Sequence, residues 1–396
     1  MYLWYNFFNL CEKSECMGKR VLVGISGGVD SAVSAYLLKE AGYEVTGAFM
    51  RNWDSLANLD IEGNPTIGDQ VCPQEVDYQD ALAVAQHLGI ELLRIDFIKE
   101  YWDNVFTYFI DEYKKGRTPN PDILCNKYIK FDYFLDYALQ NNFDYIAMGH
   151  YAGVKHTDHS SYMIKAKDTN KDQTYFLSQL SQYQLSKSLF PLQNYTKPEI
   201  REIALKLDLP VAKKKDSTGI CFIGERDFRK FLSNYIPAQP GDIVDYETKK
   251  VVGQHTGVMY YTIGQSKGLG IGGQKEFDNG RWYVLGKDLE KRILYVSNDT
   301  AHQYLRSDKA LITDIVINND AFKNISECHA KFRYRQPESS VKLEWIDDTS
   351  AYVYNDDLPL GVTIGQACVF YKDEYCLGGG IISKVYLDGK ELTYEQ

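Results

Sequence analysis

No apolar run in this 396-residue chain reaches the roughly 18–20 residues that cross a bilayer. The opening stretch, MYLWYNFFNLCEKSEC, has neither the basic start nor the small-residue cleavage site of a secretory signal. It is also poor in Arg and Ser, which excludes the usual transit peptide. A soluble, cytoplasmic protein with no membrane partner is the expectation. Cysteine is scarce: eight residues, at 11, 16, 72, 125, 221, 328, 368 and 376, with no CxxC pair. That spacing excludes a disulfide scaffold and a zinc ribbon, so any cysteine that matters should matter as a thiol. Positive charge is short too. The net charge of −10 argues against nucleic acid as a partner, although a local basic patch can bind RNA on an acidic protein. Short clusters exist at Lys114-Lys115-Gly116-Arg117, Lys213-Lys214-Lys215 and Lys331 to Arg335. Taken singly, each reads as solvated surface.

What is present is an alternation. RVLVGI (20–25), EVTGAFM (44–50), ELLRID (91–96) and DYIAMG (144–149) read as strands. Between them, AVSAYLLKEAG carries apolar residues at helical spacing, and helices are expected over 76–88, from 98 to Gly116, and over NKYIKFDYFLDYALQ. Strands alternating with helices predict an α/β, Rossmann-like parallel sheet covered on both faces. After about 150 the alternation fades. SQLSQYQLSKSLF and KPEIREIALKLDL read as two helices, and beyond about 235 many short strands with Gly-rich turns predict a small central domain and a C-terminal β-barrel. The expected division is an extension over 1–16, a catalytic domain over 17–225, a central domain over 226–303 and a barrel over 304–396.

Three segments carry chemistry. Gly24-Ile25-Ser26-Gly27-Gly28-Val29-Asp30-Ser31 follows a buried strand and opens a helix. Its glycines allow close backbone approach, and the helix start offers free N–H groups to phosphate. Asp30 is placed to hold magnesium. The loop is neither GxxxxGK[ST] nor GxGxxG. The second segment is RTPNPDILCNK, in which two prolines fix an extended path into a helix. Cys125 falls at that helix start, where the dipole should lower its pKa, and Asp122 sits three residues earlier to relay a proton. The third is DSTGICFIG, with Cys221 flanked by apolar residues between two glycines; alone it reads as core. Cys72 is a candidate third thiol, Cys328, Cys368 and Cys376 read as packing, and His87 reads as structural. The Gly268–Gly273 run reads as a flexible loop.

SGGVDS in this setting resembles the PP-loop ATP pyrophosphatases. With GRTPNPDILCNKYIKFD, AMGHYA, KDQTYFL, KKDSTGICFIGER, YTIGQSKGLGIGG, KFRYRQ and IGQACVFY, which run from about 20 to 372, the chain resembles the tRNA-specific 2-thiouridylases. The resemblance implies a tRNA-uridine 2-sulfurtransferase that adenylates C2 of the wobble uridine and replaces its oxygen with persulfide sulfur. It implies that Gly24, Ile25, Ser26, Gly27, Gly28, Val29, Asp30 and Ser31, with Met50 and Gly149, bind ATP. Cys221 would carry the persulfide and Cys125 would be its partner, releasing sulfur from it or closing a disulfide with it. Asn120, Pro121 and Asp122 would face the target base. His150, Lys171, Asp172, Gln173, Arg333, Tyr334 and Gln366 would contact tRNA. Expected partners are the tRNAs for Lys, Glu and Gln and a cysteine-desulfurase-derived persulfide donor, with Mg2+ beside the ATP. Residues 1–16 match nothing in the family, whose usual start resembles Met17-Gly-Lys-Arg-Val.

Other readings are open at this level. A PP-loop amidotransferase or ligase would not need Cys125 and Cys221, and a regulatory nucleotide-binding module would release no pyrophosphate. Asp122, Cys125 and Cys221 could ligate an iron–sulfur cluster, a reading not favoured over the persulfide.

Overall fold

The first strand, β1 (Arg20–Gly24), is apolar after its first residue and buried there; such a run needs cover on both faces, which a parallel sheet supplies. The computed structural model describes residues 16–69, 72–216, 219–221, 223–271, 281–300 and 302–392. Strands β2 (Glu44–Arg51), β3 (Leu92–Asp96) and β4 (Tyr145–Ala147) join β1 in parallel, with Val21 opposite both Val45 and Tyr145. The crossovers include helix α1 (Val29–Ala41), ended by left-handed Gly42, and α2 (Pro73–Leu88). Two longer helical runs, over 98–114 and 121–140, each contain wide π turns, at Trp102–Phe106 and at Cys125–Tyr133. Wide turns of this kind recur at functional sites.

After β4 the chain departs from the expected helices. Strands β5 (Gly153–His156) and β6 (Ser161–Ile164) form a hairpin. The expected helix over SQLSQYQLSKSLF is only one turn and a half, Gln182–Ser186, followed by β7 (Ser188–Leu189). Hydrogen bonding wins there: β7 completes the sheet edge, giving the order β3-β2-β1-β4-β7. Helix α3 (Lys197–Lys206) opens on a capping box, Thr196 with Glu199, and packs Ile200 and Ala204 into the same cluster as Val29, Ala32 and Val33 of α1.

The strand-rich half forms two further sheets. Strands β8 (Gly241–Asp245), β9 (Val251–His255), β10 (Tyr283–Asp288) and β11 (Ile293–Ser297) pair in the order β10-β11-β8-β9. Strands β12 (Lys309–Ile317), β13 (Glu327–Lys331), β14 (Ser339–Asp347), β15 (Ser350–Tyr354), β16 (Ala367–Lys372) and β17 (Tyr375–Leu387) close into a barrel, because β12 pairs with both β15 and β17. Closure removes the sheet edges on which such strands would otherwise aggregate. The β5–β6 hairpin joins this barrel sheet, with Met163 opposite Cys376. One buried cluster runs through all three parts, from Tyr101, Phe106 and Cys125 through Phe231, Ile263 and Val284 to Val369 and Tyr371. Of the segment 1–16, only Cys16 is among the described residues; it is buried against the α1 side of the first sheet. No described helix is long and apolar enough to cross a membrane.

Candidate active site

The phosphate loop follows from β1 and α1. Gly28 caps α1 without a side-chain acceptor, so the first N–H groups of the helix point outward for an anion. Ser31 folds the loop on itself: its hydroxyl accepts from the Ser26 N–H at 3.2 Å and donates to the Gly28 carbonyl at 3.1 Å. Gly27 has φ +74°, and a Cβ there would lie 2.3 Å from the Asp77 carbonyl oxygen of α2. A Cβ on Gly149 would lie 2.8 Å from the Ser31 nitrogen, and one on Gly24 would meet Met148 and Met50. Thus Met50 and Gly149, distant in sequence, do lie against the loop. Asp30 is already engaged. Both its oxygens accept from the Lys197 ammonium at 2.8 Å, and one also accepts from Tyr151 Oη at 2.8 Å.

The thiols lie on the other side of β4. Asn120 caps the helix at Pro121, accepting from the N–H of Asp122 at 3.1 Å and of Ile123 at 3.4 Å. One turn further, Cys125 is wholly buried and faces Cys221, with Sγ to Sγ at 3.5 Å across 96 residues of sequence. Both are free thiols in contact, not a disulfide. Asp122 Oδ1 accepts the Cys221 N–H at 3.1 Å, and Tyr101 Oη donates to the Cys221 carbonyl at 3.0 Å. The Cys221 segment is therefore held from two helical runs. The hydrogen bond from Cys125 pulls the Cys221 thiol below its usual pKa, and the Lys130 ammonium adds to this against the effect of burial. The expectation that the helix dipole would acidify Cys125 is reversed: it sits a turn inside the helix, and burial pushes its thiol up. Burial likewise raises Asp122, against the Cys221 N–H and Lys130. Lys130 keeps its proton: burial opposes the charge, but Cys221, Cys125 and Asp122 together outweigh it. This makes one thiol ready to ionise and one held protonated beside it.

Three family models match the chain: a tRNA methyl transferase HUP domain over residues 19–225, a tRNA methyl transferase PRC-barrel domain over 229–298, and an aminomethyltransferase beta-barrel domain over 307–382. Full-length relatives carry a different activity in their names. The tRNA-specific 2-thiouridylase MnmA of Mesoplasma florum is 60% identical, covering 93% of this chain and 100% of its own. That of Mycoplasma mycoides is 59% identical over the same shares, and that of Streptococcus agalactiae is 52% identical, covering 95% of this chain and 98% of its own. The chain belongs to the tRNA-specific 2-thiouridylase family. Its fold is the one expected: a Rossmann-like parallel sheet, a central PRC-barrel domain and a closed C-terminal barrel. A solved U34-tRNA thiolase, NcsA from Methanococcus maripaludis with its [4Fe-4S] cluster, aligns over 54% of this chain and 65% of that one at 20% identity. Its TM-score of 0.34 is too low to carry an argument.

In this thiouridylase, the residues expected to touch RNA are dispersed, and several already bind within the chain. Gln366 Nε2 donates to the Thr118 carbonyl at 2.7 Å, and Thr118 N–H donates to Ile364, so the barrel pins the loop leading to Cys125. Lys287 of β10 pins it from the central domain through the Gly116 carbonyl at 2.7 Å. Arg333 donates to the Ile263 carbonyl at 2.6 Å, and the Tyr334 ring lies 4.3 Å from that of Phe176. Asp172 is buried on the Ala166 N–H and the Thr174 hydroxyl, while Gln173 accepts the Tyr151 N–H. His150 is buried and its Nδ1 has no hydrogen-bond partner among the described residues; burial, with Lys130 nearby, lowers its pKa well below the usual value. Lys171 pairs with Asp216 at 2.8 Å. Asn120 lines a cavity of about 390 Å³ with Tyr108, Tyr128, Lys127, Gln179 and Asp314, whereas Asp122 turns toward Cys221. Of the Lys213–Lys215 cluster, Lys214 is spent on Asp77 and Asp80.

Neither metal reading fits these side chains. Asp30 faces an ammonium on both oxygens, a poor arrangement for a magnesium ligand. Asp122 is turned to an amide while the two sulfurs touch, which leaves no space between them for a cluster. Among the described residues no group of three or more His, Cys, Asp or Glu is arranged to hold a metal ion. Sequence reasoning missed Lys130, Lys197, Asp216, Tyr101 and Tyr151. Only Lys130 left a signal, a lysine within the apolar stretch YIKFDYF.

Proposed function

We propose that the chain is an ATP-dependent tRNA-uridine 2-sulfurtransferase acting at C2 of the wobble uridine. The observation that carries this reading is the Cys125–Cys221 contact at 3.5 Å, one thiol acidified and the other not, in a chain that also holds a phosphate loop. The uridine C2 oxygen attacks the α-phosphate of ATP, pyrophosphate leaves, and C2 carries an adenylate as leaving group. The N–H groups of α1 and the Ser26 and Ser31 hydroxyls receive the phosphates. The acidified Cys221 accepts a sulfane sulfur from a donor persulfide, since the thiolate is the attacking form. The terminal sulfur then bonds to C2 as AMP departs, and Cys125 takes the inner sulfur, leaving thiouridine and a Cys125–Cys221 disulfide. The disulfide needs two electrons from an external thiol to reset. Asp122 stands beside both sulfurs to take the proton that Cys125 loses, and the Lys130 ammonium steadies the thiolate formed. Magnesium bound with ATP would offset the charge of the phosphates, and Asp30, held by Lys197, is not arranged to ligate it.

The tRNA side of this proposal is supported by a hollow of about 560 Å³ in which Arg306, Arg333 and Arg335 outnumber one carboxylate, Asp357, a local positive excess on a chain of net charge −10. The tRNAs for Lys, Glu and Gln, a cysteine-desulfurase-derived donor, a cytoplasmic setting and the division at about 225 and 303 belong to the same proposal. The family-model boundaries at 225, 229, 298 and 307 support the division. The test is mass spectrometry of nucleosides from tRNA incubated with the protein, ATP, magnesium and a persulfide donor. 2-Thiouridine is expected at the wobble position only when ATP is present; its absence with a folded, ATP-binding protein would sink the reading.

A further inference from the structure

A buried carboxylate on the loop after β2 joins the surroundings of Cys221. Asp60 is fully buried. It accepts from Trp53 Nε1 at 3.0 Å, from Ser55 Oγ at 3.2 Å and from Asn64 Nδ2 at 3.4 Å. Arg226, whose side chain is 7% exposed, donates to both oxygens, from Nε at 3.2 and 3.0 Å and from Nη2 at 2.8 Å. Two routes lead from this carboxylate to Cys221. Trp53 packs edge-on against Tyr101, with ring centroids 6.0 Å apart, and Tyr101 Oη donates to the Cys221 carbonyl at 3.0 Å. Arg226 follows a closed turn. There the Gly224 N–H donates to the Ile220 carbonyl at 2.8 Å, so the chain from Arg226 bonds directly to the neighbour of Cys221. Gly219 has φ +109°, and a Cβ there would lie 2.3 Å from the Gly224 carbonyl oxygen, so glycine is required to close the turn. The loop is tied down beyond Asp60 as well: Gly63 accepts the Asp227 N–H at 3.0 Å, and the Asn58 carbonyl accepts from Tyr235 Oη at 2.8 Å.

We propose that Asp60 is a positioning residue for the sulfur chemistry, setting the place of Cys221 against Cys125 through Tyr101 and the Ile220–Gly224 turn. This rests on the reading that the Cys125–Cys221 pair handles sulfur. A buried ion pair contributes little net stability, because desolvation offsets the attraction. What it supplies here is direction. Trp53 and Arg226 lie on separate stretches of chain, and one carboxylate fixes both donors. The Cys221 carbonyl is only as well placed as the Tyr101 ring that holds it, and Trp53 packs against that ring. The Cys221 N–H is held from the other side by Asp122 at 3.1 Å. With the sulfurs in contact at 3.5 Å, small shifts of the Cys221 backbone are felt at the pair.

The experiment uses the full-length protein in mixtures of reduced and oxidised glutathione, in which the two thiols exchange with a disulfide. The ratio of Cys125–Cys221 disulfide to thiol pair, read by peptide mass spectrometry after acid quenching, reports how closely the sulfurs are held. Asp60→Asn keeps the shape of the side chain and removes its charge. Its pairing equilibrium should fall at least roughly tenfold, since about 1 Å of misplacement costs on the order of 100-fold in rate. Thiouridine formation should fall with it, while tRNA-dependent pyrophosphate release stays at the wild-type rate. Trp53→Phe keeps an aromatic ring and loses the N–H, and should lower pairing by less. Asp60→Asn/Arg226→Met leaves no buried charge unpaired, so its melting temperature should recover toward the wild type while pairing stays low. Pairing that recovers together with the melting temperature would show a stabilising role alone and overturns the inference, as does a folded Asp60→Asn at the wild-type equilibrium. Were Asp60→Asn to fail to fold, Trp53→Phe decides by the same ratio, and a wild-type equilibrium there overturns the inference. A wild type that pairs its thiols yet makes no thiouridine sinks the sulfur reading instead, and this inference with it.

Discussion

The phosphate loop draws its chemistry from eight consecutive residues, Gly24 to Ser31, whereas the thiol pair joins side chains 96 residues apart. The loop works through backbone: N–H groups at the start of α1, arranged by β1 behind and Gly27 within. Its electrostatics come with the helix and change little with neighbours. The thiol pair works through environment. The same functional group is pushed up at Cys125 and down at Cys221, because one is sealed in the core and the other receives a hydrogen bond and faces Lys130. A site made of backbone is robust to side-chain change and sensitive to added bulk. A site made of side chains has the opposite weakness.

The largest effects should separate the two. Gly27→Ala puts a methyl 2.3 Å from the Asp77 carbonyl at a φ of +74°, so the loop or α2 must move. Displacement of about 1 Å costs on the order of 100-fold in rate, and pyrophosphate release and thiolation should both fall by that much. Cys221→Ser should abolish thiouridine formation while tRNA-dependent pyrophosphate release continues. Cys125→Ser should still load sulfur on Cys221 but deliver none to tRNA. Assays of pyrophosphate, protein-bound sulfane sulfur and thiouridine on the same samples check all three. Thiouridine made by Cys221→Ser, or unimpaired pyrophosphate release by Gly27→Ala, breaks the contrast.

A smaller effect sharpens the side-chain half. Alkylation follows the thiolate, so its rate rises with pH through the thiol pKa. The Cys221 pKa is lowered; its labelling curve in a Cys72→Ser background should therefore rise at lower pH than the ordinary cysteine midpoint of about 8.5. Lys130→Gln removes the ammonium and should move that curve back upward. Cys125 should stay unlabelled across the range. A Cys221 midpoint at or above the ordinary value, or one unmoved by Lys130→Gln, would show that the environment described here does not set the reactivity.

The contrast also explains what could be read in advance. β1, the loop and α1 are contiguous, so hydrophobic runs and glycine positions alone place them. The parallel sheet follows from strands alternating with helices, and the C-terminal barrel from many short strands with Gly-rich turns. The docking of the β5–β6 hairpin on the barrel does not, because Met163 pairs with Cys376 of β17, more than 200 residues away, and local pattern cannot report such a pairing. The same holds for charge. Lys197 looks like the first residue of a well-capped surface helix, and nothing nearby in sequence indicates that Asp30 and Asp216 share it. The misjudged acidity of Cys125 has the same origin: the helix start was visible, and the burial that overrides it was not.

The smallest effect tests the thiols outside the pair. Cys376 is fully buried in β17, where burial pushes its thiol up to about 12, and its sulfur lies 3.7 Å from the Thr174 carbonyl. That position offers packing and a weak donor, and burial with Asp172 outweighs the pull of Lys165 and Lys331 on the thiol. In Cys376→Ser the smaller oxygen retains the donor toward Thr174, but a hydroxyl replaces a soft apolar atom between Met163 and the barrel wall. The cost should be about 1–3 kcal/mol, the range for burying a hydroxyl with partial compensation. A domain of 150–250 residues loses about 2–4 °C in melting temperature per kcal/mol, and a smaller one more, so thermal unfolding resolves the change in the barrel. Thiouridine formed per folded molecule should not change. Cys125→Ser and Cys221→Ser should show the reverse, function lost with a smaller stability cost at half-buried Cys221. A folded Cys376→Ser that fails to thiolate would place a working thiol where burial seals it and holds it protonated, and the assignment of sulfur chemistry to the Cys125–Cys221 contact would fall with it.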